Sequence, residues 1–269
     1  MKVVLMVVLA LAVALTGALT FANRGPEKPP IAAEPVVPNA MLADTRASTI
    51  GEILLPVGFR RTDLSGFGQW LRGRPLLPAD SQLLDWNGKP VKFQYGHYRI
   101  VDLSVPKLQQ CSDSIQRLRA EWLWEEGRQR EISFQVDGQP YPFRGNGRAD
   151  LTSYLRHVAS RTSTTSMAVE MPRLPAGGVV GSGDVLIHPA SAIRRGHVVL
   201  VVDEAVDQTG RRLLLIGQGF NPAKQFHLIK NSKDRALSPW HDAAILNGEG
   251  LRTPSWLETY KLDDGRTWP

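Results

Sequence analysis

A single cysteine, Cys111, stands in a chain of 269 residues. A lone thiol cannot form an intramolecular disulfide. It is kept either as a small buried hydrophobe or for its reactivity. Two side chains that a thiol nucleophile needs follow it in order. His197 opens the apolar run Val198–Val202, and Gln218 closes the run Leu213–Ile216. A Cys–His enzyme requires a thiol near a helix end, an imidazole on a facing strand, and a polar group that orients the imidazole. In that chemistry Cys111 attacks an amide or ester carbonyl, His197 moves the proton, and Gln218 fixes the ring. Asp203, which ends the His197 strand, is the second candidate orienter, although its spacing of six from His197 also fits plain strand alternation. Asp184 reads as a turn residue. His157, His188 and His227 show no zinc-ligand spacing with one another or with Cys111. No glycine motif cradles a phosphate. No metal or cofactor is expected.

These residues need elements to hold them. Leu108, Cys111, Ile115, Leu118 and Trp122 recur at helical spacing, which predicts a half-buried helix over Pro106–Trp124. Pro106 suits its first turn, and Asp113, Gln116, Arg117, Arg119 and Glu121 fall on the outer face. Ser65 and Gly73 bracket a shorter helix. Asn87-Gly88 and Asp137-Gly138 are two-residue hairpin signals. A strand is expected from Tyr98 to Val105. Asp150 caps a further helix, with Leu151, Tyr154, Leu155 and Val158 inward, that reads through to Met167. The last third holds four strands: Gly183–Ile187, His197–Asp203, Leu213–Gln218 and Phe226–Ile229. A central helix followed by consecutive strands predicts an α+β fold.

The N-terminus sets the compartment. Lys2 precedes an apolar run from Val3 to Ala22, and Asn23-Arg24-Gly25-Pro26 follows it. This reads as an export signal at 1–22, either cleaved after Ala22 or retained as an anchor. Residues 23–50 are Pro-rich at first and aperiodic, hence a linker. One globular domain is expected over 51–269, in the periplasm or facing outward from the membrane. With 42% hydrophobic and 22% charged residues the chain can bury an ordinary core. The formal charge of +6 suits an anionic envelope polymer as partner. Basic residues are not clustered with aromatics, which argues against nucleic acid. Membrane contact is expected only through 3–22.

The strand pair Gly183-Asp184-Val185-Leu186-Ile187 and Gly196-His197-Val198-Val199-Leu200-Val201-Val202-Asp203, placed after a Cys-bearing helix, resembles the NlpC-type papain-like cysteine peptidases. That resemblance implies a papain-like core, a Cys111–His197–Gln218 triad and cell-wall peptide as substrate. Those peptidases carry Asp-Cys-Ser-Gly at the nucleophile, whereas this chain has Gln110-Cys111-Ser112-Asp113. At whole-chain scale WLRGRPLLP, VPKLQQCSDSIQRLRAEWLW, SGDVLIHP, GHVVLVVDEA, LLLIGQGFNPAKQFHLIKN and LSPWH resemble a bacterial family known as domain-of-unknown-function family 4846. Gly219 and His241 stand where that family suggests serine and tyrosine. A second reading is a non-catalytic envelope binding or scaffold protein on the same fold, with a shallow groove around Trp240.

Overall fold

The computed structural model describes residues 44–91, 96–175, 178–192, 195–232, 234–244 and 264–269. The expected signal or anchor at 1–22 and most of the expected linker lie outside the described residues. The packed chain begins earlier than residue 51. Asp44–Arg46 and Ile50–Glu52 are short 3-10 turns, and Ile50 is buried. The Arg99 guanidinium donates to the carbonyl oxygens of Asp44, Ala47 and Leu77, which fastens this segment to the body.

Ten strands and four helices follow in the described residues. They are β1 (Arg60–Arg61), α1 (Gly66–Arg72), β2 (His97–Ile100), α2 (Cys111–Glu125), β3 (Ser133–Val136), β4 (Gln139–Pro142), α3 (Arg148–Arg161), α4 (Thr164–Glu170), β5 (Val185–His188), β6 (His197–Val206), β7 (Arg212–Gln218), β8 (His227–Ile229), β9 (Trp240–Asp242) and β10 (Asp264–Arg266). Eight strands form one open antiparallel sheet in the order β10-β5-β6-β7-β8-β2, with β1 added to β6 and β9 to β7. The chain is therefore an α+β protein, and its long central strands β6 and β7 are buried almost throughout.

Both faces of the sheet are covered, which is why β6 reads as a continuous apolar run rather than an alternating one. Val198, Leu200 and Val202 meet Ile115 and Leu118 of α2 in the larger core. Val199, Val201, Leu214 and Ile216 point the other way into a second core with Val180 and Phe220. The β3–β4 hairpin is a separate two-stranded unit. Asp137 and Gly138 turn it with φ of 52° and 77°, the doubly left-handed turn expected from that dipeptide.

Three expectations change. The central helix starts at Cys111, not Pro106. The Asp113 carboxylate accepts the Gln110 N–H at 2.9 Å and closes the first turn there, so a cap at the third helical position overrides a favourable proline. Residues 106–110 are turned instead, with Gln109 N–H on the Pro106 carbonyl at 2.9 Å. As a result Leu108 is exposed, whereas Asp113 and Gln116, expected outside, are buried. The helix expected to run through Met167 breaks at Thr162. Ser163 accepts the N–H groups of Thr165 and Ser166 and starts α4 afresh. The strand expected over Tyr98–Val105 is the shorter β2; β1 ends the stretch Ile53–Arg61, whose sequence reads as an extended entry, whereas β9 and β10 had no legible sequence signal. Among the described residues, no helix is long and apolar enough to cross a membrane.

Candidate functional site

The His197 end of β6 is where the sheet opens. Pairing of β6 with β5 runs to His197↔His188, but pairing with β7 ends at Leu200↔Gly217. Beyond that pair β6 and β7 are joined by side chains instead, His197 to Gln218. The first turn of α2 lies against this end of the two strands. The backbone groups of Ser112, Val198 and Cys111 itself are near enough to the Cys111 thiol to favour its charged form, and Val198 is the residue after His197. Gly219, just past β7, lies against the same turn. A Cβ built on it would fall 2.2 Å from Ser114 Oγ and 2.8 Å from the Gln110 carbonyl. Only a glycine permits this approach. The Ser114 hydroxyl, donating to Gln110 O at 2.7 Å, occupies the space a serine at 219 would take.

On the sheet itself three side chains form a line. Gln218 and His227 are direct register partners on β7 and β8. Extending Leu200↔Gly217 by one residue puts Val199 opposite Gln218, so His197 is the diagonal neighbour, within reach of a long side chain. His197 Nε2 lies 2.7 Å from Gln218 Oε1, Gln218 Nε2 lies 3.1 Å from His227 Nε2, and His227 Nδ1 lies 2.9 Å from the Gln225 carbonyl.

The protons in this line follow from its far end. A carbonyl can only accept, so His227 Nδ1 carries hydrogen and donates to Gln225 O. His227 is deeply buried, and burial pushes its pKa down to about 3, so it is neutral. Its Nε2 is then an acceptor, and the Gln218 amide must turn its NH₂ toward it. Gln218 Oε1 therefore faces His197 and accepts from Nε2–H. That leaves Nδ1 of His197 as the basic nitrogen. One backbone carbonyl thus sets the tautomer of a histidine three groups away.

Burial governs the electrostatics. It pushes the thiol up to about 12, with the Asp113 charge adding to the rise and the backbone N–H groups opposing it. It also pushes His197 down to about 4, against the Gln218 hydrogen bond and with a smaller contribution from Lys224. The resting pair is a neutral thiol and a neutral imidazole, not a thiolate–imidazolium pair. Asp113 is itself raised to about 7 by burial. Cys111 is only 6% exposed.

The structure thus brings Gln218 to His197 directly, whereas Cys111 lies in the larger core with Val198 and the His197 ring packs on Phe220 of the second core, so thiol and ring share the strand end without a contact between them. Asp203, the other candidate orienter, is committed elsewhere. It is fully buried between Arg61 at 2.8 Å and Arg72 at 2.5 Å, an ion triad fixing β1 and α1 to the sheet. Asp184 accepts the Gly181 N–H at 2.9 Å, as a turn residue does. Trp240 is 1% exposed and donates to the Leu54 carbonyl at 2.7 Å, so the groove expected around it is closed. His241 is buried in the same strand. Sequence reasoning weighed His227 only as a zinc ligand and passed over Lys224. A polar residue alternating with apolar ones on a short strand, as in Phe226-His227-Leu228, was the available signal for the first. Among the described residues no three His, Cys, Asp or Glu side chains converge as a metal set. A cleft of about 610 Å³ beside the β3–β4 hairpin, lined by Tyr141, Tyr154 and His157 among others, includes none of the three candidates.

Residues 51–144 and 141–263 match the family model described as "Domain of unknown function (4846)". No curated protein matches the chain, and no solved structure does.

Proposed function

The chain belongs to domain-of-unknown-function family 4846, a label that assigns no activity, and from the site we propose that it is a papain-like cysteine hydrolase of the amidase or peptidase class. The observation that carries the proposal is the hydrogen-bond line ending at Gln225. It puts the ring proton of His197 on Nε2 and the basic lone pair on Nδ1, at the strand end where Cys111 begins a helix.

In this reading Cys111 Sγ forms a bond to the substrate carbonyl carbon while its proton passes to His197 Nδ1. The carbonyl electron pair moves onto oxygen, facing the N–H groups at the start of α2. The tetrahedral adduct collapses, the C–N bond breaks, and the amine leaves with the proton from Nδ1. A water then attacks the thioester, gives its proton to Nδ1, and the thiol is restored. A neutral orienter fits a neutral resting pair. Gln218 fixes the ring without stabilising an imidazolium as a carboxylate would, so proton transfer accompanies attack rather than preceding it. Substrate contact completes the approach of thiol and ring, since catalytic bonds are often long before the substrate arrives.

The apolar run Val3–Ala22 and the net charge of +6 support an exported protein acting on cell-wall peptide or another anionic envelope polymer. The test is incubation of the purified chain with cell-wall peptide fragments, followed by mass spectrometry. New amine and carboxylate termini are expected, and they vanish in Cys111→Ala while the thermal midpoint holds. Persistence of the products in that variant overturns the hydrolase. The burial of Cys111 favours one other reading, a binding protein whose thiol is core. In that case no fragment is cleaved, and Cys111→Ala lowers the thermal midpoint instead.

A further inference from the structure

Lys224 sits in the loop between β7 and β8, with Nζ 3.7 Å from the centre of the Phe220 ring. The same ring also meets His197, edge-on at 5.7 Å. An ammonium and the proposed base therefore share one phenyl ring. The lysine is half-buried, and among the described residues it makes no ion pair with a carboxylate. Burial pulls its pKa down to about 8, and its charge is felt by both His197 and His227. Its backbone is held by a bridge to Asp85, and the neighbouring Ala223 carbonyl accepts the Trp86 N–H at 3.1 Å. The Asp85 carboxylate is turned away, accepting the N–H groups of Asn87 and Lys89. Across Trp86 stands a second cation, Lys107, with Nζ 4.9 Å from the indole. Lys107 lies four residues before Cys111 in the chain.

Keeping an ammonium partly desolvated without a counter-charge is costly, and it depresses the basicity of a neighbouring imidazole. A partner that arrives with the substrate removes that cost. We propose that Lys224 is a specificity residue that binds a carboxylate of the substrate, so that the hydrolysed amide lies next to a free carboxylate. This inference rests on Cys111 and His197 being the reacting pair. A single ammonium is a point charge with three donors, which suits a monoanion. Neutralising Lys224 also lifts its field from His197 and makes Nδ1 a better base once the correct substrate is in place.

The experiment uses the single thiol as its own reporter. Cys111 is alkylated in the full chain with iodoacetate and, separately, with iodoacetamide, and the two rates are read by intact mass. The iodoacetate-to-iodoacetamide ratio is expected to fall about fivefold in Lys224→Met, with the iodoacetamide rate changing less than about twofold. An unchanged ratio in a folded Lys224→Met overturns the proposal. If neither reagent modifies folded wild-type protein, the hydrolase reading fails, and the anion site is decided separately by acetate titration. Saturable shifts of the Lys224 Cε and His197 ring signals, absent with acetamide and absent in Lys224→Met, support the carboxylate site. No saturable shift overturns it. Inorganic phosphate run in parallel and saturating at least about tenfold more tightly than acetate also overturns it, in favour of a phosphate ligand.

Discussion

Replacing Gln218 with alanine removes a side chain that bonds both histidines of the line. The residue is 5% exposed, and its amide holds His197 at 2.7 Å and His227 at 3.1 Å. Deleting it orphans two buried polar groups, the His197 Nε2–H and the His227 Nε2 lone pair. Each such group costs about 1–3 kcal/mol, so Gln218→Ala is expected to destabilise the fold by about 2–6 kcal/mol in urea titrations. Stability alone does not test the argument, because any buried truncation lowers it. The decisive measurement is the tautomer state by long-range ¹H–¹⁵N NMR of the ring. In the wild type His197 is expected as Nε2–H and His227 as Nδ1–H. In Gln218→Ala, His227 keeps its form, since its Gln225 carbonyl is untouched, whereas His197 becomes a mixture. Asp203→Ala is the control. It leaves Arg61 and Arg72 without their partner and costs about 3–5 kcal/mol, yet the His197 tautomer stays as it was. A wild-type His197 in the Nδ1–H form refutes the reasoning, and so does a tautomer shift in Asp203→Ala with none in Gln218→Ala.

Two further outcomes follow from the same geometry. His197, His227 and His241 are held neutral by burial, with pKa pushed down to about 4, 3 and 4. As pH falls from about 6.5 to 5 the unfolded chain therefore comes to bind close to three more protons on these residues than the folded one, which lowers stability on acidification. Asp113 and Glu170, both raised to about 7 by burial, oppose this, because there the folded state binds the extra proton. The balance is about one proton, or ~1.4 kcal/mol lost per pH unit on acidification. The double variant Asp113→Asn, Glu170→Gln is expected to steepen the slope to about three protons, and a wild type whose stability rises toward pH 4.5 contradicts the assignment. Gly219→Ser, which restores the residue suggested by the family pattern, is expected to destabilise by about 1–3 kcal/mol through overpacking against Ser114 and the Gln110 carbonyl. Adding Ser114→Ala is expected to recover part of that loss, and full tolerance of the single change shows that the first turn of α2 is not wedged against β7.

Much of this protein was legible in the order of its residues. Val198–Val202 and Leu213–Ile216 are apolar runs that a sheet covered on both faces requires, and local pattern is enough to name them as strands. The dipeptide Asp137-Gly138 specified its hairpin because few residues accept two left-handed conformations in a row. The order Cys111, His197, Gln218 placed a thiol, an imidazole and an amide on separate elements, and the His197–Gln218 bond was anticipated because both residues end adjacent strands. What tertiary structure alone decided was the state of those groups. The helix begins at Cys111 because Asp113 closes the first turn, a choice between two local signals that only packing settles. The basicity of Nδ1 depends on the Gln225 carbonyl, linked through side chains whose register on β7 and β8 no sequence spacing encodes. Asp203 and Gln218 both close apolar runs, with Gln218 the first candidate for orienter and Asp203 the second. Arg61 and Arg72, more than a hundred positions earlier in the chain, draw one of them into an ion triad and leave the other to the histidine. Hydrophobic pattern is local and survives in one dimension, whereas partners and proton positions belong to residues brought together from distant parts of the chain.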